Sequence, residues 1–434
     1  MKLFREVDLF SSTFLVVGNI IGIGIFTTSG LIAEEIGTGI WLLGIWIIGG
    51  LLALLGAICY AVLALQIPKA GGEYAFLYPS YGPLPAFLAG WTSLLVGFAA
   101  PTAAVALGFA HYLALSLEIK ILDNPLFLKG IASLSILVVT ISLTTGLKLG
   151  TRIHSIITFF NLFLIIVFSV LVLEKAPITQ NLGPILEQFH PNLDLSSLAT
   201  AVVMVMFSFS GWNAAVYLVE EIREPRINIP RSLVLGTLTV TLVYLLINLA
   251  YFSSVPVSEL SGKIAVAEIT ARATFGTAGT LLTNILILFS ILSSMTAMSI
   301  AGPRVYFAMA RNRLFPKWLT KVHQEKKIPL GSIWFQNSIA LLLIAIGTLR
   351  EILVYSGFIL LFFSTLTVSI LLIRRHQIPI TLSYPGIYII LAGFFVLVNS
   401  TVLLNVAISN PKETLASLIT VASGLPIYFF YKTQ

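Results

Sequence analysis

The chain has 434 residues, of which 10% are Asp, Glu, Lys or Arg and 57% are hydrophobic, with a mean hydropathy of +0.99. A soluble domain carries about a quarter charged residues, and a single soluble core stops growing near ~250–300 residues. Lipid must therefore be the solvent for most of the chain, which excludes a soluble enzyme or binding module. The net charge of +7 does not mark a nucleic-acid binder, because Lys and Arg sit in short breaks between apolar runs instead of forming a stripe.

A membrane-crossing helix takes about 20 apolar residues. Runs of that length predict an all-α membrane protein with twelve transmembrane helices at 9–33, 40–65, 84–115, 130–147, 153–174, 195–220, 232–254, 278–308, 331–349, 351–373, 386–408 and 414–431. The runs are continuous, so an alternating β-barrel is excluded. The first run is too long for the core of a signal peptide and stays as a span. The third and eighth are overlong and predict strong tilt. Between spans two and three, residues 66–83 mix Gly, Pro and aromatics, as a short inner-face or re-entrant helix would. Residues 255–277 space Glu259, Lys263, Glu268 and Arg272 among apolar residues, a pattern for an amphipathic outer lid. With the N-terminus inside, eighteen of the 25 Lys and Arg residues fall on inner segments. The positive-inside bias thus predicts cytoplasmic N- and C-termini for a multi-pass protein of a cell (inner) membrane.

Chemistry is sparse inside the spans. No Asp, Glu, Lys or Arg stands near a predicted span centre, and His111 and His154 fall near span ends, where they read as interfacial. No metal-ligand spacing, Walker A sequence, nucleophile elbow or H-E-x-x-H pattern occurs, so no metal, cofactor or enzyme activity is expected. Cys59 lies alone inside an apolar run and forms no intrachain disulfide.

Glycine supplies the stronger signal. Gly18, Gly22 and Gly24 interrupt the first span, and Phe207-Ser208-Phe209-Ser210-Gly211-Trp212-Asn213 interrupts the sixth. Either cluster alone fits close helix packing equally well. If the chain is a five-plus-five inverted repeat the two occupy matching positions, and paired interruptions point to a transport site. An unwound helix presents carbonyls at one half-helix end and N–H groups at the other, which hold an ammonium and a carboxylate respectively. A zwitterionic amino acid then needs no charged side chain, and a strongly charged substrate would lack its counter-charge.

Four blocks carry a resemblance. They are Gly22-Ile23-Gly24-Ile25-Phe26, Pro68-Lys69-Ala70-Gly71-Gly72-Glu73-Tyr74, Ser210-Gly211-Trp212-Asn213, and the loop from Glu220 to Arg231 with its spaced carboxylates, prolines, Asn228 and arginines. On these the chain resembles the amino acid–polyamine–organocation superfamily, and within it the L-type amino acid transporter branch and its bacterial relatives. The resemblance implies a LeuT-type 5+5 inverted repeat with broken helices 1 and 6. Its repeats would be 9–174 and 195–373, with two further helices over 386–431, in one membrane domain. It implies a secondary transporter or exchanger, of neutral amino acids by the absence of pocket charge. The alternatives are a cationic amino acid or polyamine carrier and, from another class, a channel or nutrient receptor.

By position, the resemblance assigns the substrate carboxylate to N–H groups of Ile23 and Gly24 and the ammonium to carbonyls of Ile20, Phe207 and Ser210. Gly22, Ser208 and Gly211 complete the two breaks. Phe207 matches a thin gate, Asn213 a polar residue near the pocket, and Ser294 a small polar position on the eighth span. Three departures stand out. Ile23 replaces a common serine. Asn161 stands where many relatives carry a lysine, which disfavours proton coupling there and favours Na+ coordination by Asn161 with Ser293 or Ser294, or uncoupled exchange. Residues 118–129 hold no cysteine for a disulfide-linked single-span partner. Glu220 and Glu221, near Arg223, Arg226 and Arg231, read either as a solvated ion-pair patch or, for Glu221, as an inner gate.

Overall fold

A computed structural model describes residues 3–37, 40–117, 124–176, 194–346, 352–374 and 385–433. Nine of the described helices are long and apolar enough to cross a membrane, and a bent pair makes a tenth. That pair is α1 (Leu9–Ile20) and α2 (Gly24–Ile36), which meet at 42°. Asp8 starts α1 by accepting a hydrogen bond from the Ser11 N–H at 2.7 Å, satisfying one of the donors that a helix start leaves free.

Helix α3 (Trp41–Gln66) follows, then the short α4 (Gly72–Tyr81) where the sequence predicts an inner-face helix. The third span runs from α5 (Pro83–Thr92) through a seven-residue π-helical stretch, Ser93–Ala99, into α6 (Ala100–Ser116). The extra residue per turn in that stretch shifts which side chains face inward, and hydropathy carries no trace of it. Helices α7 (Pro125–Leu143) and α8 (Leu147–Lys175) follow. Gly146, at φ +139°, makes the turn between them, so α8 begins six residues before the predicted span.

The second half opens with α9 (Leu195–Ser208), a non-helical stretch, and the single turn α10 (Ala214–Tyr217). Helix α11 (Pro225–Ser254) packs against both α1 and α3. The predicted outer lid holds two short helices, α12 (Val257–Leu260) and α13 (Val266–Phe275). The lid is tied to α2 by the Gly262 N–H donating to the Gly30 carbonyl at 2.9 Å. Helix α14 (Thr277–Ala301) is mostly buried and contacts α1, α6 and α8; α15 (Pro303–Arg311) continues it to the end of the span. Helices α16 (Leu330–Ile346), α17 (Ile352–Val368), α18 (Ile370–Ile373), α19 (Pro385–Ser409), α20 (Pro411–Ala422) and α21 (Gly424–Lys432) complete the chain.

Burial follows position. The α14–α15 span is 78% buried in its most apolar window, against 17% for α20–α21, so the first is core and the second periphery. Leu134, Val138 and Ile141 on α7 and Phe159, Phe163 and Val170 on α8 are exposed apolar side chains, as expected of a surface solvated by lipid.

Candidate functional site

The two interruptions face each other across one cavity of about 130 Å³, lined by residues that include Ile20, Gly22, Ile23, Gly24, Phe207, Ser208, Ser210, Gly211, Asn213 and Ser294. At the first break the Gly22 N–H reaches back only to the Ile20 carbonyl, at 2.9 Å, and α2 restarts at Gly24. The first N–H groups of α2, beginning at Gly24, have no partner within their own helix and carry its positive dipole end. Ser294 sits beside this break, since a Cβ on Gly22 would lie 3.0 Å from its hydroxyl oxygen.

The second break is denser in polar contacts. Helix α9 ends at Ser208, and the Ser210 N–H donates to the Phe207 carbonyl at 2.9 Å. Gly211 adopts φ +103°, and a Cβ there would meet the Asn19 backbone at 2.8 Å. Only glycine allows the two interrupted chains to approach this closely. The Thr28 and Ser208 hydroxyls, 2.7 Å apart, tie α2 to α9. The Tyr244 hydroxyl on α11 lies 3.0 Å from the Ile20 carbonyl and 3.1 Å from the Ser208 carbonyl, bridging the ends of α1 and α9. Tyr244 carries no signal in the sequence, because its partners lie on other elements and one is 224 residues away.

Glu73 corrects the expectation that charge is missing near the breaks. It lines the same cavity and is 7% exposed. Its carboxylate accepts from the Tyr60 hydroxyl at 3.0 Å, from the Tyr217 hydroxyl at 2.6 Å and from the Asn213 amide nitrogen. Gly72, at φ +58°, permits this approach, since a Cβ there would lie 2.1 Å from the Tyr217 ring. The sequence places Glu73 in the short helix between spans two and three, and the fold of that segment brings it to the cavity wall. The Gly71-Gly72 pair before it is the signal that could have marked a close approach.

The groups named for a coupling ion keep separate hydrogen-bond partners. Asn161 accepts from the Ser290 hydroxyl at 2.6 Å, while Ser293 pairs with Thr158 at 2.7 Å and Ser294 faces the first break. His154 is not interfacial. It is fully buried, with Nε2 3.2 Å from the Phe14 carbonyl, because the early start of α8 draws it against α1.

At the end of the protein beyond α10, Glu221 and Glu220 bond not to the nearby loop arginines but to α15. Arg304 donates through Nε and Nη2 to the two oxygens of Glu221 at 2.8 and 2.9 Å, and both side chains are at most 1% exposed. Arg304 is thus a buried ion-pair partner as well as a topology signal. Arg311 donates to both oxygens of Glu220 at 2.7 and 2.9 Å. The N-terminal segment closes over this end: the Glu6 and Val7 N–H groups donate to the Glu221 carbonyl, and the Arg223 N–H to the Val7 carbonyl. Lys327 pairs with Glu6, and that bond holds the Glu6 carboxyl below the usual carboxylate range.

Two interrupted helices meeting at one cavity are the arrangement expected of a membrane transport protein. The amino acid permease family model matches residues 7–430, and the chain belongs to that family. It is 28% identical to the large neutral amino acids transporter small subunit 2 of Rattus norvegicus over 99% of this chain and 81% of the relative. It is likewise 28% identical to the human b(0,+)-type amino acid transporter 1, covering 99% and 88%, and to the human cystine/glutamate transporter, covering 99% and 86%.

Proposed function

We propose that this protein is a secondary transporter or exchanger of amino acids that works by alternating access around the two broken helices. The observation that carries the reading is the convergence of both interruptions on one cavity in a member of the amino acid permease family. The family consists of permeases, not enzymes, and its named relatives are amino acid transporters.

In this reading α9 with α10 forms a second broken span and α16 a further one, giving twelve spans in the LeuT-type arrangement. The repeats are 9–174 and 195–373, the additional helices fall within 386–431, and the termini are cytoplasmic in a cell membrane. The N–H groups of Ile23 and Gly24 hold the substrate carboxylate, and the carbonyls of Ile20, Phe207 and Ser210 hold its ammonium. Gly22, Ser208, Gly211, Asn213 and Ser294 shape the cavity, and Phe207 acts as the thin gate on one side. Glu221 with Arg304 is the inner gate, and opening the cytoplasmic path requires that pair to part. Asn161, Ser293 and Ser294 lie in the region where a coupling Na+ would bind; exchange without an ion is the other route, and no disulfide-linked subunit is needed for either.

The test is counterflow in proteoliposomes with a panel of radiolabelled amino acids, repeated with imposed Na+ and H+ gradients. Saturable trans-stimulated uptake is the expected result. Ion currents without countertransport would replace the carrier reading with a channel.

A further inference from the structure

The start of α8 carries two cations that the transport reading leaves unused. Because Gly146 begins this helix ahead of the predicted span, Lys148 and Arg152 stand on α8 itself and not in a loop. Successive residues of a helix turn by about 100°, which puts Lys148, Arg152, Ile156, Phe159 and Phe163 within about a quarter of its circumference. All five are exposed. The strip is therefore headed by two positive charges and continues as apolar surface along a helix long enough to cross the membrane. Helix α1 widens it. The rings of Phe10 and Phe14 lie 4.5 Å apart and those of Phe14 and Phe159 6.2 Å apart, and Phe10 is exposed.

Neither cation has a carboxylate of its own. Among the described residues no ion pair involves Lys148 or Arg152. Lys327, and less so Lys148, holds the Glu6 carboxyl below its usual range, and the ion pair of that acid is with Lys327. Asp8, at the start of α1, accepts from the Ser11 N–H. A long cationic side chain lays its stem on apolar surface and keeps its charged head at the polar boundary. Arginine meets a phosphate with two parallel N–H groups, and lysine meets it as a point charge. A free phosphate would satisfy these heads and leave the aromatic strip uncovered. A ligand with an anionic head and an apolar tail satisfies both parts of the surface.

We infer that the joined face of α1 and α8 binds an anionic phospholipid, with its phosphate on Lys148 and Arg152 and an acyl chain along Ile156, Phe159 and Phe163 beside Phe10. The inference needs only the membrane-spanning helices and stands apart from the transport reading.

The experiment is native mass spectrometry of the full chain in detergent micelles, with phosphatidylglycerol and phosphatidylcholine of matched acyl chains at equal concentration. Each cation near an anionic headgroup contributes about fivefold, so wild-type protein should retain phosphatidylglycerol about twentyfold better. Arg152→Gln should lower that preference about fivefold, and Lys148→Gln together with Arg152→Gln should bring it close to one. Lys321→Gln removes an exposed cation from the same end of the protein and should leave the preference unchanged. All three side chains are exposed, so the variants keep the fold. Glycerol phosphate, which has the anionic group and no chains, should fail to displace the bound lipid. Equal retention of the two lipids, or a preference that survives the double substitution, overturns the site. So does an equal loss in Lys321→Gln, which would mean a diffuse positive surface, or displacement by glycerol phosphate, which would leave the aromatic strip without a role.

Discussion

The two interrupted helices solve one problem with different materials. The first break is built mainly from backbone: Gly22 and Gly24 leave bare peptide groups between α1 and α2, with the Ser294 hydroxyl beside them and the Tyr244 hydroxyl on the Ile20 carbonyl. The second break is fastened by side chains. Ser208 is held by Thr28, the carbonyl of Ser208 by Tyr244, and Asn213 by Glu73 and Tyr217. In the proposed transport reading the first break serves any molecule carrying a carboxylate, whereas the second ties its shape to residues on α2, α4, α10 and α11.

Substitutions that touch one break and not the other sharpen the contrast. The largest effect is expected at Gly211, where any side chain meets both an unfavourable φ and the Asn19 backbone. Gly211→Ala should abolish substrate binding or folding, read by thermal stability in detergent together with uptake. Next comes Glu221→Gln. Removing the charge opposite a buried arginine costs about 3–5 kcal/mol, so the melting temperature should fall and labelling of the inner cavity surface should rise. Unchanged transport and labelling would deny Glu221 a gating role. At the first break, a Cβ on Gly24 meets Ser208 only at ordinary contact distance, 3.4 Å. Gly24→Ala should therefore keep measurable uptake, while Gly24→Val, whose branches enter the cavity, should abolish it.

Smaller effects lie at the edges. Tyr244→Phe leaves two carbonyls short of a shared donor and should cost about 1–3 kcal/mol, with uptake reduced severalfold. The Glu6–Lys327 pair is partly exposed, so its worth is at most about 1 kcal/mol. Because the folded-state Glu6 carboxyl titrates below its ordinary value of 4.5, its stabilisation is present above that pH and is lost as pH falls through the lowered value. Lys327→Met should remove that acid-limb dependence from the thermal unfolding curve.

Much of this architecture is legible in the sequence, for physical reasons. Lipid imposes long apolar runs, so the spans read directly, and a helix can be unwound cheaply only where residues such as Gly22, Gly24 and Gly211 stand. The short α4 and the outer helices α12 and α13 follow from local composition. What stays hidden depends on facing and on long-range approach. Glu73 reads as one polar residue of a short connecting helix until the fold places it on the cavity, and Tyr244 is one tyrosine among fourteen until its hydroxyl meets two carbonyls. Arg304 counts as a topology charge until Glu221 meets it.

The central claim is that the half-helix ends recognise both charged groups of a zwitterion. Its most direct test is wild-type counterflow of labelled leucine against three unlabelled competitors: leucine, leucine methyl ester and the deaminated acid. Competition by leucine alone is the predicted result, because each analogue removes one of the two groups. Competition by the ester or the deaminated acid at the concentrations where leucine competes would contradict it.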